Sequence, residues 1–218
     1  MEYDNLERVV QTYITYKLKD RPASHDSDNS IRVRDRVREF SVEYNPQYYL
    51  IDRDMDLFLA RISALLCNTA NPFFCKDVDH QLEVIRQLLQ THLGLEADAT
   101  FPIVKNIIVH INYATEFYNP DWHILSVKTY EYAAPDCPCE TMYQLYRVVS
   151  DAHYFEHLGA IGIARTFSQK QSIENNYRNL IYNLNCGELL YYNLSKEKAR
   201  PHIQFLKMFL KQLHRDLG

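Results

Sequence analysis

The chain has 218 residues, of which 46% are hydrophobic and 24% are charged. This balance is typical of a globular protein and excludes a wholly disordered one. The formal net charge of −4 gives no general attraction to nucleic acid, so we expect no nucleic-acid partner. Five irregularly spaced cysteines argue against a disulfide framework and favour a reducing, cytoplasmic compartment. No apolar run reaches the roughly 18 residues that a membrane span needs.

The first segment predicts an amphipathic helix. Its apolar residues recur every three or four positions, as they do on one face of a helix, and Asp4 precedes them as an N-cap. They are Leu6, Val9, Val10, Tyr13, Ile14 and Leu18. The polar run 21–30, RPASHDSDNS, contains Pro and Ser and predicts a flexible loop. Ser30 would then cap a second helix, which Pro46 ends.

Three more helical patterns follow. The third helical segment runs from Met55 to Leu66, and the fourth lies between Asp77 as its cap and Gly94 at its end. The fifth begins after Thr100 and is the most apolar of the set. We therefore expect the fifth helix to be the central one.

The segment 119–140 fits neither the helical nor the strand period and contains several prolines, which predicts irregular chain. Helical patterns then return within residues 142–149, 158–167, 173–191 and 201–217. About nine helical segments and no convincing strand predict an all-α fold. We expect one domain over residues 1–218, a multi-helix bundle around an apolar central helix.

One short pattern would carry enzyme chemistry. The run HYFEH places His153 and His157 four residues apart with Glu156 between them, in the order of the inverted zinc peptidases. Both histidines share a helix face and could bind one zinc ion, with the glutamate as general base. A third ligand is needed, and the downstream candidates are Glu174, Glu188 and Glu197. A pattern of only five residues still favours the simpler interpretation, two histidines on a partly exposed helix with no metal.

The remaining patterns give no case for catalysis. Four arginines in IRVRDRVREF spread around a helix instead of forming one patch, and acidic neighbours offset them. No Gly-rich phosphate loop, nucleophile elbow or paired Cys and His nucleophile is present. The sequence therefore predicts a protein that is not an enzyme and has no cofactor.

The stretch ERVVQTYITYKL combines paired apolar residues, an aromatic residue and a terminal Tyr-Lys-Leu. The residues that carry this pattern are Val9, Val10, Tyr13, Ile14, Tyr16, Lys17 and Leu18. In this order they resemble the N-terminal homology helix of the B-cell lymphoma (Bcl) family of apoptosis regulators. The polar run 21–30 is similar to the flexible loop that follows this helix in the family.

The match is looser further along the chain. The stretch HLGAIGIARTF is similar to the family's central signature through Gly159, but Ala160 stands where the family has an Arg. That Arg pairs with the Asp of a bound death-motif helix. In the second helix, Arg38 stands in place of the death-motif Asp, which favours a survival factor over a direct killer. A divergent match of this kind would suit a viral homologue.

The resemblance implies a Bcl-like bundle whose surface groove binds amphipathic death-motif helices of pro-apoptotic proteins. The groove would be lined by Phe40, Tyr44, Val148, Val149, Phe155 and Gly159. The function implied is non-enzymatic apoptosis regulation by a cytoplasmic protein, with peripheral association with the mitochondrial or ER membrane left open. Two alternatives remain: a helical adaptor or scaffold unrelated to apoptosis, and a small zinc hydrolase built on the HYFEH run.

Overall fold

The computed structural model describes residues 2–44, 54–72, 74–116, 140–169 and 171–217. These ranges contain α-helices, two short 3-10 helices at Cys67–Ala70 and Gly94–Glu96, and no strand. The α-helices are α1 Glu2–Lys17, α2 Ser27–Tyr44, α3 Asp54–Leu66, α4 Val78–Leu93, α5 Ala97–Glu116, α6 Glu140–Phe155, α7 Gly159–Phe167, α8 Ile173–Cys186 and α9 Asn193–Leu217. The prediction of an all-α bundle is confirmed.

Helix α3 forms the centre of the bundle, and α5 does not. From Phe58 to Leu66, every α3 residue except Arg61 is buried, and the helix packs against α1, α2, α5 and α6. Helix α5 keeps an exposed side, on which Pro102 and Lys105 lie. The sequence analysis chose α5 by its apolar content, but a central helix is defined by neighbours around its whole circumference.

Helix α1 packs a single apolar stripe onto the bundle. Leu6, Val10, Ile14 and Leu18 are at most 1% exposed, as the helical spacing predicts. Tyr16, which belongs to the Tyr-Lys-Leu ending of the motif, is 73% exposed. Core packing therefore accounts for the apolar half of the N-terminal pattern.

Helix α2 begins earlier than the sequence analysis placed it, at Ser27. The Asp26 carboxylate accepts a hydrogen bond from the backbone N–H of Asn29 at 2.8 Å, so Asp26, and not Ser30, is the cap. The last part of the predicted loop 21–30 thus belongs to the helix. Asn29 and Ser30 are at most 2% exposed, because this end of α2 points into the bundle.

Other predicted boundaries have mixed outcomes. Asp77 caps α4 as expected and accepts a hydrogen bond from the His80 backbone N–H at 2.8 Å. Helix α1 begins at Glu2, before the predicted cap Asp4. Of the predicted irregular segment 119–140, only Glu140 is described, and it begins α6; the rest lies outside the described residues. No helix in the described ranges is both long and apolar enough to cross a membrane.

The buried stripe of α1 gives a test of the fold. Replacing Ile14 with Ala should lower the free energy of unfolding by about 2–5 kcal/mol, because it removes buried methyl groups and leaves a cavity. Chemical denaturation followed by circular dichroism measures the change. Replacing the exposed Tyr16 with Ala is the matched control on the same helix, and its effect should stay within about 0.5 kcal/mol. A larger loss for Tyr16 than for Ile14 would contradict this packing of α1.

Candidate functional site: a histidine and arginine cluster at the α6–α7 turn

The chain turns tightly where α6 meets α7. Helix α6 ends at Phe155, and the backbone N–H groups of Glu156, His157 and Leu158 each donate to the carbonyl three residues before, at 3.2, 3.1 and 3.0 Å. This is the hydrogen-bond pattern of a 3-10 helix. The turn brings the Nε2 atoms of His153 and His157 to 3.4 Å from each other.

Two glycines allow α7 to pack directly against this turn. Gly159 begins α7 with a positive φ of 67°, a conformation that other residues adopt only with strain. At Gly162, an added Cβ would collide with the backbone carbonyl of His157. Both positions therefore need glycine for backbone reasons, which accounts for Gly159 without a partner groove.

A buried ion pair joins the turn to α7. Glu156 is 6% exposed and Arg165 is 9% exposed, and their Oε2 and Nη1 atoms are 3.3 Å apart. The second carboxylate oxygen of Glu156 lies 3.4 Å from Nη2 of Arg36 on α2. Arg36 also pairs with Glu39, whose other oxygen lies 2.7 Å from Nζ of Lys198 on α9. One chain of charges thus ties α2, α7 and α9 to the turn.

His25, which precedes α2, belongs to the same cluster. Its Nδ1 lies 2.7 Å from Oγ of Ser24, and that oxygen accepts a hydrogen bond from Nε2 of Gln169 at 2.8 Å. The Ser24 hydroxyl can either donate its hydrogen to the imidazole or accept one from it, because its oxygen has two acceptor lone pairs. The contact holds the ring of His25 in place through Nδ1, and the tautomer decides whether Nδ1 or Nε2 carries the ring hydrogen.

The three histidines are neutral at physiological pH. Burial lowers the pKa of His25 to about 3, helped by the charges of His153, Arg21 and Arg165. Burial lowers the pKa of His153 to about 4, and the positive charge of Arg165 adds to this effect. The pKa of His157 is also well below its usual value because of burial and then the other two histidines and Arg165. Burial lowers the pKa of Arg165 as well, although Glu156 opposes this.

Nδ1 of His153 is a buried polar atom without a partner among the described residues, and the residue is only 4% exposed. Most buried polar atoms in proteins are hydrogen-bonded, so an unpaired one calls for an explanation. His157 retains some exposure beside it.

The described residues do not fit a zinc site. The 3.4 Å between the two Nε2 atoms would let both histidines reach one ion at about 2.0–2.1 Å. No group of three or more His, Cys, Asp or Glu side chains in the described ranges is arranged to hold a metal, however. Glu156 is paired with arginines, and the predicted third ligands are exposed elsewhere on the surface; they are Glu174, Glu188 and Glu197.

An amide network lies at the nearby start of α2. Nδ2 of Asn68, in the first 3-10 helix, is 3.1 Å from Oγ of Ser30 and 3.3 Å from Oδ1 of Asn29. All three residues are at most 2% exposed. These uncharged side chains join the end of α3 to α2 and bring no negative charge to the cluster.

The residues predicted to line a groove are core residues. Phe40 and Val149 are fully buried, Val148 is 1% exposed and Phe155 is 5% exposed. The rings of Phe40 and Phe155 meet edge to face with centroids 5.7 Å apart. The side chain of Tyr44 lies outside the described part of the structure. The sequence spacing marked these positions as apolar, and the bundle uses that surface to hold α2 against α6.

Comparison with solved structures places this fold among bacterial proteins. Bacillus subtilis YpgQ in complex with ADP matches with a TM-score of 0.65 and 17% identity, over 99% of this chain and 97% of that one. Another crystal structure of YpgQ matches with a TM-score of 0.64 and 16% identity, over 100% and 98%. A structural genomics target from Lactobacillus plantarum gives 0.66 and 17%, over 98% and 97%. At these identities, the likeness shows a shared fold.

Comparison of the sequence with family models and with curated proteins identifies no related protein. No protein-family model matches the chain, and no curated protein matches it.

The prediction of a non-enzymatic apoptosis regulator is wrong. The fold of the whole chain is shared with YpgQ-type proteins, whereas the Bcl resemblance depended on a short stretch of α1. The same matches contradict the prediction that the protein is not an enzyme. That prediction depended on the Bcl assignment and on the absence of familiar catalytic motifs. The resemblance of α1 itself, and the predicted pro-apoptotic partners, stay predictions.

Sequence reasoning identified part of this cluster and missed the rest. It singled out His153, Glu156 and His157, but it assigned the glutamate to catalysis, whereas the structure pairs it with arginines. It missed His25 because the polar run 21–30 looked like a loop. It missed Arg165 as well, although an arginine in the apolar stretch GAIGIARTF was a usable signal.

The neutral histidines should make the protein sensitive to acid. In the unfolded chain His153 has its usual pKa of 6.5, and in the folded chain about 4. Between these values the unfolded state binds a proton that the folded state does not. The free energy of unfolding should therefore fall as pH falls through this window, by up to about 3 kcal/mol from this residue.

Replacing His153 with Gln should flatten that fall, measured by denaturation at several pH values between 7 and 4. The matched control is His80→Gln, at an exposed position on α4, which should keep the wild-type slope. The comparison between variants is needed because Asp151 has the opposite effect. Burial raises the pKa of Asp151 to about 6, so its protonation stabilises the folded state as pH falls. Equal slopes for wild type and the His153 variant would refute the neutral-histidine assignment.

Proposed function

We propose that the protein is a hydrolase that binds a nucleotide and acts on its phosphate groups at the α6–α7 cluster. The observation that carries this proposal is the likeness to YpgQ, one structure of which contains ADP, over 97% or more of both chains. The cluster supports it, since it is the place in the described residues where histidines, an arginine and an unpaired buried atom meet.

The chemistry of the cluster suits a phosphate group. The guanidinium of Arg165 presents N–H groups in a planar fork that matches phosphate oxygens. Each neutral imidazole has one N–H that can donate to a phosphate oxygen. Arg32, exposed on α2, acts electrostatically on Arg165 and would attract an anion to the same side.

The histidines also offer a route to hydrolysis. A bound phosphate brings negative charge beside the rings, which raises their pKa from the low values of the free protein. A ring that is neutral yet able to accept a proton can act as general base for an attacking water. His157 suits this role because it keeps some exposure to solvent.

Removing the charge of Arg165 tests this proposal. The full-length Arg165→Gln variant should bind ADP about 10-fold to 100-fold more weakly, because a hydrogen bond to a charged group contributes about 1.5–3 kcal/mol. Isothermal titration calorimetry measures the affinity, and phosphorus NMR follows release of phosphate from a small panel of nucleotides. The wild type should release phosphate and this variant should not.

Two further variants control the result. Arg86→Gln removes an exposed arginine that pairs with Glu83 on the same helix, so it should bind like wild type. Arg165→Lys keeps a positive charge beside Glu156, so it controls for an effect of Arg165→Gln on folding. Its ADP affinity should lie between those of the wild type and Arg165→Gln. If wild type binds ADP and all three variants bind it equally well, the site lies elsewhere. If wild type binds no nucleotide, the proposed function is wrong.

A further inference from the structure

We infer that this cluster binds the phosphate groups of its ligand without a metal ion, with Arg165 as the cation of the site. The inference rests on the proposed function, because it concerns how the same site holds a nucleotide. It departs from the zinc hydrolase that the HYFEH run suggested. Within the part of the chain that the structure describes, the cluster keeps the two histidines of that pattern and lacks the other parts of a metal site.

The residues that could complete a metal site have other partners. Glu156 is shared between Arg36 and Arg165, so neither of its oxygens is directed at the histidine pair. Asp26 caps α2 through Asn29. Nδ1 of His25 is hydrogen-bonded to the Ser24 hydroxyl. Zinc sites in proteins use three or four protein ligands, and the pair His153 and His157 supplies two.

The charge of the cluster also disfavours a metal. Arg165 is close enough to lower the pKa of both His153 and His157, so it would repel a divalent ion held by their Nε2 atoms. An anion in the same place is attracted by the guanidinium and by Arg32 on α2. The pairing of Glu156 with Arg36 as well as Arg165 leaves the arginine charges less than fully neutralised.

The unpaired Nδ1 of His153 gives this anion a donor. The atom is buried without a partner in the described ranges. The ring of His153 lies beside His157, with centroids 5.0 Å apart, and interacts electrostatically with Arg165. With its hydrogen on Nδ1, the ring can donate to a phosphate oxygen and leave Nε2 to accept from His157. A bound phosphate would thereby give this buried atom the partner that the described residues do not supply.

The test compares ADP binding with and without metal. The full-length protein and its buffers are passed over a chelating resin, and metal content is checked by inductively coupled plasma mass spectrometry. Calorimetry then measures ADP, and adenosine as the ligand without phosphates. We expect ADP affinity to change less than threefold on metal removal, adenosine to bind at least tenfold more weakly than ADP, and no stoichiometric zinc in the purified protein.

Titration of the metal-free protein with zinc and manganese completes the test. We expect no binding by either ion near one equivalent. ADP binding that disappears with the metal and returns with zinc or manganese overturns this inference and leaves the proposed function standing. Adenosine binding as tight as that of ADP also overturns it, because the phosphates would then not be held by the cluster. No nucleotide binding under any condition overturns the proposed function, and the inference with it.

Discussion

A carboxylate buried between two guanidinium groups fixes the α6–α7 turn against helices α2 and α7. Removing Glu156 from water is unfavourable unless opposite charges and hydrogen bonds compensate for its lost hydration. Arg165 and Arg36 supply both, and they come from different helices. The α6–α7 turn, the start of α7 and the face of α2 must therefore take up one arrangement together, since a displaced helix would leave a buried charge alone.

The same contact sets the character of the surrounding histidines. Burial keeps His153 and His157 neutral, and the positive charge that Arg165 retains while paired adds to this effect. Neutral rings can approach within 3.4 Å of each other without the repulsion that two imidazolium ions would feel. Stability of the turn and the chemistry proposed for it thus depend on one pair of charges, so substitutions at Glu156 should disturb both.

The sequence was informative about helices and much less so about what they assemble. Helical spacing predicts the buried residues of α1, such as Val10 and Ile14, because burial of one face produces that pattern in any bundle. For this reason the pattern could not distinguish one bundle family from another. The electrostatic interaction of His25 with His153 joins residues more than 120 positions apart, and no local pattern encodes an interaction of that kind. The central place of α3 depends in the same way on neighbours from four other helices.

Gly162 is a position where the fold itself restricts which residues evolution can accept. Any side chain there would strike the carbonyl of His157, so purifying selection at this site acts on the shape of the backbone and is blind to chemistry. A chain with a larger residue at this position would have to move α7 away from the turn, whatever the chemistry of the cluster. His153 and Arg165 are buried as well, at 4% and 9% exposure, but substitutions there would change the hydrogen-bonding groups and the charge of the cluster and leave the path of the backbone intact.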